Sequence, residues 1–161
     1  MQRLALTGGR LFYVTAEIPG ITLADAFDAN DVMGTQFAIT VPKSGAIVAA
    51  YYHDLDDEGT DHNLFLFREP VINVPASDAA VALLDQANTE FCGRVRFLAS
   101  AVANADFVNN QVQFGHTSDL PLWYVTSDTR QLWCLVQALG ADNIAAANVP
   151  RISLVIQVFE E

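Results

Sequence analysis

Apolar residues recur at every second position through much of this chain, the spacing that turns one face of an extended strand inward and the other outward. Thr35–Val41 sets Phe37, Ile39 and Val41 against Gln36 and Thr40 on the opposite face. Near the end, Ile152–Val158 sets Ile152, Leu154, Ile156 and Val158 inward. In Phe91–Ala99 the inward set is Phe91, Val95 and Phe97, while Arg94 and Arg96 point out together. Leu11–Ile18 reads as an opening strand. Four further runs are apolar on both alternating sets: Ala46–Tyr52, Leu64–Phe67, Leu122–Val125 and Leu132–Val136. Such strands are expected to be covered on both sides, by a second sheet and by something else.

Turn residues separate the runs. Pro42-Lys43-Ser44-Gly45 leads the second strand into the third, and Thr126-Ser127-Asp128-Thr129 leads the sixth into the seventh. Gly140–Pro150 is a longer loop rich in Ala and Asn. Only Asp78–Ala87 has a helical look, with Ser77 as N-cap, and it amounts to one or two turns. The Asn content of Ser100–Asn110 favours a loop over a further helical turn. Nothing resembling a repeat or a linker divides residues 1–161, and residues 1–9 read as an N-terminal arm. About eight strands with turn signals at short intervals predict an all-β domain, an antiparallel β-sandwich that is jelly-roll-like, with a barrel as the alternative. Strand order stays open.

Composition narrows the function classes. A chain of 161 residues buries roughly 70% of its unfolded surface and needs no disulfide or metal to fold. Eight cations against 19 acidic residues leave a net charge of −11, and Lys43 is the single lysine. That balance argues against nucleic acid and against an anionic membrane surface, both of which require clustered cations. It is not the acidity of disorder, because 52% of residues are hydrophobic and only 17% charged. So few charges, together with doubly apolar strands, predict surface buried against other chains; the alternative is an uncharged surface of Ala, Thr, Asn and Gln over a deep sandwich. No run approaches the ~20 apolar residues of a spanning helix, and Met1–Gly9 lacks the continuous apolar core of a signal peptide. Cys92 and Cys134 lie in apolar runs and read as free thiols in a reducing cytoplasm, pairing only if their strands are neighbours.

Candidate chemistry is sparse. In Asp54–Asp61, the residues Asp54, Asp56, Glu58 and Gly59 match the first half of a calcium loop, but its twelfth position is Phe65 where a bidentate Glu is required. A solvated acidic hairpin turn is the simpler reading. His53 and His62 at its ends lack the His-x-His or His-x-Asp/Glu spacing of a jelly-roll metal site and read as exposed hairpin histidines. His116-Thr117-Ser118-Asp119 puts triad residue types side by side without a strained elbow to converge them. Neither cysteine has the electropositive surroundings of a reactive thiolate. Trp123, Trp133, Tyr51, Tyr52 and Tyr124 are expected in the core, with a sugar-binding face as the alternative. Arg94 and Arg96 are expected to pair with carboxylates across strands or subunits. No catalytic, cofactor or metal residues are assigned.

Three segments in order carry a family resemblance: Phe37-Ala38-Ile39-Thr40-Val41-Pro42-Lys43-Ser44-Gly45; Tyr52-His53-Asp54-Leu55-Asp56-Asp57-Glu58-Gly59 leading into Leu64-Phe65-Leu66-Phe67; and Pro150-Arg151-Ile152-Ser153-Leu154-Val155-Ile156. Over residues 11 to 159 the chain resembles virion structural proteins of tailed bacteriophages, of the capsid-decoration (cement) kind. The resemblance implies a non-enzymatic β-sandwich on the outer capsid surface, assembled in the host cytoplasm. Its implied partners are the major capsid protein and copies of itself, expected as a trimer, with no nucleic acid, membrane or cofactor. The alternatives are a glycan-binding module of a phage tail or adhesin using Trp123, Tyr124 or Trp133, and a jelly-roll metalloenzyme.

Overall fold

Period-two alternation becomes a single long antiparallel sheet. The computed structural model describes residues 9–21, 25–55, 59–83, 85, 87–99, 111–144 and 148–160. These form β1 (Leu11–Glu17), β2 (Asp25–Phe27), β3 (Val32–Thr40), β4 (Ser44–Asp54), β5 (His62–Phe67), the one-turn helix α1 (Ala87–Glu90), β6 (Phe91–Leu98), β7 (Gln111–Gly115), β8 (Leu122–Val125), β9 (Gln131–Ala138), β10 (Asp142–Ile144) and β11 (Arg151–Glu160). The sheet follows the order β1-β11-β4-β7-β6-β5-β9-β3, and every pairing is antiparallel. It wraps into a nearly closed, sandwich-like barrel. The long strand β4 takes β8 along its first half and β7 along its second. A separate ribbon pairs β2 with β10.

Most of the inward set predicted for the second and last strands is the core: Phe37, Ile39, Val41, Ile152, Leu154 and Ile156 are all buried in one cluster with Ile47, Leu64, Val95 and Leu132, while Val158, beside a register shift, is only half-buried and lies outside it. A second cluster lies on the other face of β5 and β9. There Phe67 and Leu135, with Phe65 and Trp133 beside them, pack against Val71, Val74, Val81, Leu83 and Ala87. The cover expected over two of the doubly apolar strands is therefore the chain's own connection between β5 and β6.

Several local expectations are corrected. The helix is a single turn at Ala87–Glu90, at the end of the predicted span. Residues 78–81 instead run beside 30–32: Asp78 has φ 65°, its N–H donates to Val32 O, and Val81 N–H donates to Asn30 O. Ser77 caps no helix; its Oγ accepts from Gly34 N–H at 3.1 Å. Phe91 faces outward against Phe65 and Phe67, because the register slips between Leu66 and Phe67 and one slipped residue exchanges the faces of a strand. The acidic segment after Asp54 is not a hairpin, since β4 and β5 are not neighbours in the sheet. Residues 56–58 and Ser100–Asn110 lie outside the described residues, and with them Asp56 and Glu58 of the partial calcium-loop match and the expected loop.

Both ends of the sheet approach each other at one point. Thr35 N–H donates to Pro19 O at 2.8 Å, joining the end of β1 to β3. Gly34 permits the approach: its φ is 69°, and a Cβ there would collide with the Pro19 carbonyl oxygen.

Candidate functional site

Among the described residues, strands β1, β11, β4, β7 and β8 have no such cover on their outer side. Registers place their outward residues in rows across the sheet. One row runs Leu11–Gln157–Ala46–Trp123, the next Tyr13–Val155–Ala49, and a third Thr15–Ser153–Tyr51–Phe114. Leu11 is 66% exposed, Tyr13 62%, Phe114 63% and Trp123 63%; Val125, Phe159, Leu98 and Val48 add to the same surface. Trp123 and Phe159 stack at 4.8 Å with their rings 11° from parallel, and Tyr51 meets Phe114 edge-on at 5.5 Å. Taking ~200 Å² for a whole aromatic side chain, this face presents on the order of 800 Å² of apolar surface, the share one partner brings to a standard interface. That exceeds the patch on a typical monomer.

A polar hub sits within the third row. Ser153 Oγ is fully buried and lies 3.1 Å from the Tyr13 hydroxyl, 2.8 Å from Thr15 Oγ1 and 2.8 Å from His53 Nε2. Burial, with the Arg151 guanidinium beside it, pushes the His53 pKa down, so the ring is neutral at pH 7. Hydrogen bonding with Ser153 and Thr15 lowers that of Tyr13. Arg151 itself pairs with Glu17 at 2.7 Å along the margin of the face. His53 and Ser153 are thus within proton-transfer distance, yet the serine is sealed from solvent and already bonded on three sides. The hub knits β1, β11 and β4 together.

His62 is the other correction. It is wholly buried inside the barrel, not exposed on a hairpin. Nε2 lies 2.7 Å from Asp142 Oδ2 and Nδ1 3.0 Å from Gln113 Oε1, while Gln113 Nε2 donates to Thr60 O. Because the Thr60 carbonyl can only accept, Gln113 must turn its amide oxygen to the imidazole. Both ring nitrogens then face side-chain oxygens, which fixes the ring between β10 and β7. β10 supplies Asp142 and β7 supplies Gln113, two short strands that the sequence pattern did not reveal. Among the described residues no group of three His, Cys, Asp or Glu converges as a metal site.

The remaining candidates separate. In the His116 segment, His116 Nδ1 lies 2.6 Å from Ser118 Oγ, and Ser118 Oγ lies 3.5 Å from Asp119 Oδ1. The serine stands between histidine and carboxylate, so no acid orients the ring, and Asp119 also accepts from Arg96 N–H. Cys92 and Cys134 are free. β5 lies between their strands, which puts them roughly 10 Å apart, past the ~7 Å reach of a disulfide. Burial raises the pKa of both thiols. Tyr52 and Tyr124 are core, Trp133 belongs to the second cluster, and only Trp123 and Tyr51 lie on the outer face. Arg96 pairs with Asp61 at 2.7 Å, as expected of it.

No protein-family model and no curated protein matches this chain. No helix among the described residues is long and apolar enough to cross a membrane.

Proposed function

We propose that this chain is a virion structural protein of the capsid-decoration kind, which binds the outer shell of a tailed bacteriophage through the uncovered face of β1, β11, β4, β7 and β8. The observation that carries the reading is that face: aromatic and aliphatic side chains hold it almost without charge, on a chain whose net charge is −11. An apolar surface of that size marks a place where another protein docks. The sequence resemblance names the covering protein as a major capsid protein, with further copies of the chain nearby, expected around a capsid axis.

Co-sedimentation of the purified chain with empty shells of the major capsid protein of its source phage tests the proposal. Wild type is expected to pellet with the shells and Trp123→Asp to lose at least tenfold in affinity. Failure of wild type to pellet, or equal binding by the variant, overturns it. A glycan array run on the same two proteins addresses the glycan-binding alternative; glycan binding that disappears in Trp123→Asp, with no shell binding, replaces the decoration reading.

A further inference from the structure

We infer that β1 is a dimerisation edge, pairing antiparallel with β1 of a second copy to continue the sheet from one molecule into the next. This inference goes beyond the shell-binding face and stands without it.

Hydrogen-bond phase sets which groups are available. Val158 N–H donates to Arg10 O and Ile18 N–H donates to Pro150 O, so the even-numbered residues of β1 turn their backbone groups toward β11. Leu11, Tyr13, Thr15 and Glu17 therefore turn theirs to the opposite edge. Pro19 continues the phase and spends its carbonyl on Thr35 N–H. Between Leu11 and Glu17 no strand pairs with that edge among the described residues. The interior-facing side chains show the same opening: Ile18 is fully buried, Ala16 and Val14 are half-buried, and Phe12 is 36% exposed.

Natural edges are blunted by proline, lysine, a bulge or an inward charge, and β1 has none of these over its seven residues. Repulsion between chains of net charge −11 is the obvious obstacle. Here it is weak, because the one charge in the strand, Glu17, is neutralised by Arg151 at 2.7 Å. The second copy's β1 is the occupant that fits, since an isologous pair needs a strand whose two halves complement each other. Centring the two-fold on Val14 sets Leu11 opposite Glu17 and Tyr13 opposite Thr15 of the second copy. All the free odd-numbered groups then pair, in about eight hydrogen bonds. It also sets Phe12 against the second copy's Ala16, closing the exposed interior, and joins the two apolar outer faces into one.

Light scattering on size-exclusion fractions at tens of micromolar is expected to give twice the 17.5 kDa chain mass. Amide hydrogen exchange is expected to slow at Leu11, Tyr13, Thr15 and Glu17 as concentration rises. Thr15→Pro removes an edge-facing N–H together with the Thr15 hydroxyl's bond to Ser153 and is expected to return the chain to a monomer, whereas Thr15→Val, which removes that bond alone, is expected to stay dimeric. If that variant does not fold, the exchange pattern in wild type decides. A wild-type monomer, or an oligomer whose odd-numbered β1 amides exchange freely, overturns the inference. Trp123→Asp is expected to leave the dimer intact, so that loss of shell binding and loss of dimerisation are read separately.

Discussion

Tyr52 lies flat on the imidazole of His62, their ring centroids 3.9 Å apart and their planes 17° from parallel. One ring comes from β4 and the other from β5, strands on different parts of the barrel wall, so the stack joins them through the interior. It also seals the His62–Asp142 pair from water, which makes that pair strong only while it is complete.

Removal of the acid should expose this dependence. Asp142→Ala leaves His62 buried opposite Gln113 with no carboxylate on Nε2 and is expected to cost about 3 kcal/mol or more in urea unfolding. Asp142→Asn keeps the shape and one acceptor, and should cost less. Equal, sub-kilocalorie losses in both variants would show that the pair is solvated.

Closure of the barrel seam makes a second prediction. Gly34→Ala must force a side chain into a left-handed backbone position and against the Pro19 carbonyl. A loss of about 1–3 kcal/mol is expected, with the thermal midpoint lowered accordingly. Pro19→Ala, which keeps the carbonyl, should have a smaller effect. A stable Gly34→Ala variant would mean that β1 and β3 do not depend on this contact.

The regular strands were legible because burial follows alternation directly: Phe37, Ile39, Val41 and Ile152 all lie where period two puts them. Three short strands were not, for identifiable reasons. β7 places Gln113 inward, so its pattern reads as polar until His62 is seen beside it. β2 and β10 span three residues each, too few for any period to register. The outward turn of Phe91 comes from a register slip, which leaves no mark in composition. The doubly apolar pattern pointed to cover on both sides; the chain itself supplies it over β5 and β9, while among the described residues nothing supplies it over β4 and β8. Nothing in Asp78–Ala87 reveals that its apolar residues serve as that cover instead of forming a helix.

The hub at Ser153 predicts a pH dependence of stability. His53 has a lowered pKa in the folded chain, so on acidification the unfolded chain takes up its proton first, near 6.5. The unfolded state then binds more protons than the folded one, and stability falls as pH drops below that value, levelling once the folded ring is also charged. His53→Gln should remove this component. Urea midpoints for both proteins between pH 5 and pH 8 check it; parallel curves would show that His53 does not contribute.

Tyr124 carries a hydroxyl that is buried with no hydrogen-bond partner among the described residues, and burial raises its pKa. Tyr124→Phe deletes the unpaired group while keeping the ring. Stability is expected to be unchanged or raised by up to about 1 kcal/mol. A loss beyond that would reveal a bonded hydroxyl.

The two outer surfaces of the sheet should respond oppositely to truncation. Phe67 is an outward-facing aromatic that the chain covers itself, touching Phe91 and packed with Val71 and Leu135. Phe67→Ala should leave a cavity and cost about 3–5 kcal/mol. Trp123 is just as outward-facing and larger, but it remains 63% exposed with Phe159 stacked on it. Trp123→Ala is therefore expected to change stability by less than about 1 kcal/mol, since most of its surface is already in water. Denaturant titrations of both variants distinguish a fold that needs both faces from one that holds the second face free for a partner. Comparable losses would place Trp123 in the core of the isolated molecule and remove the surface on which shell binding depends.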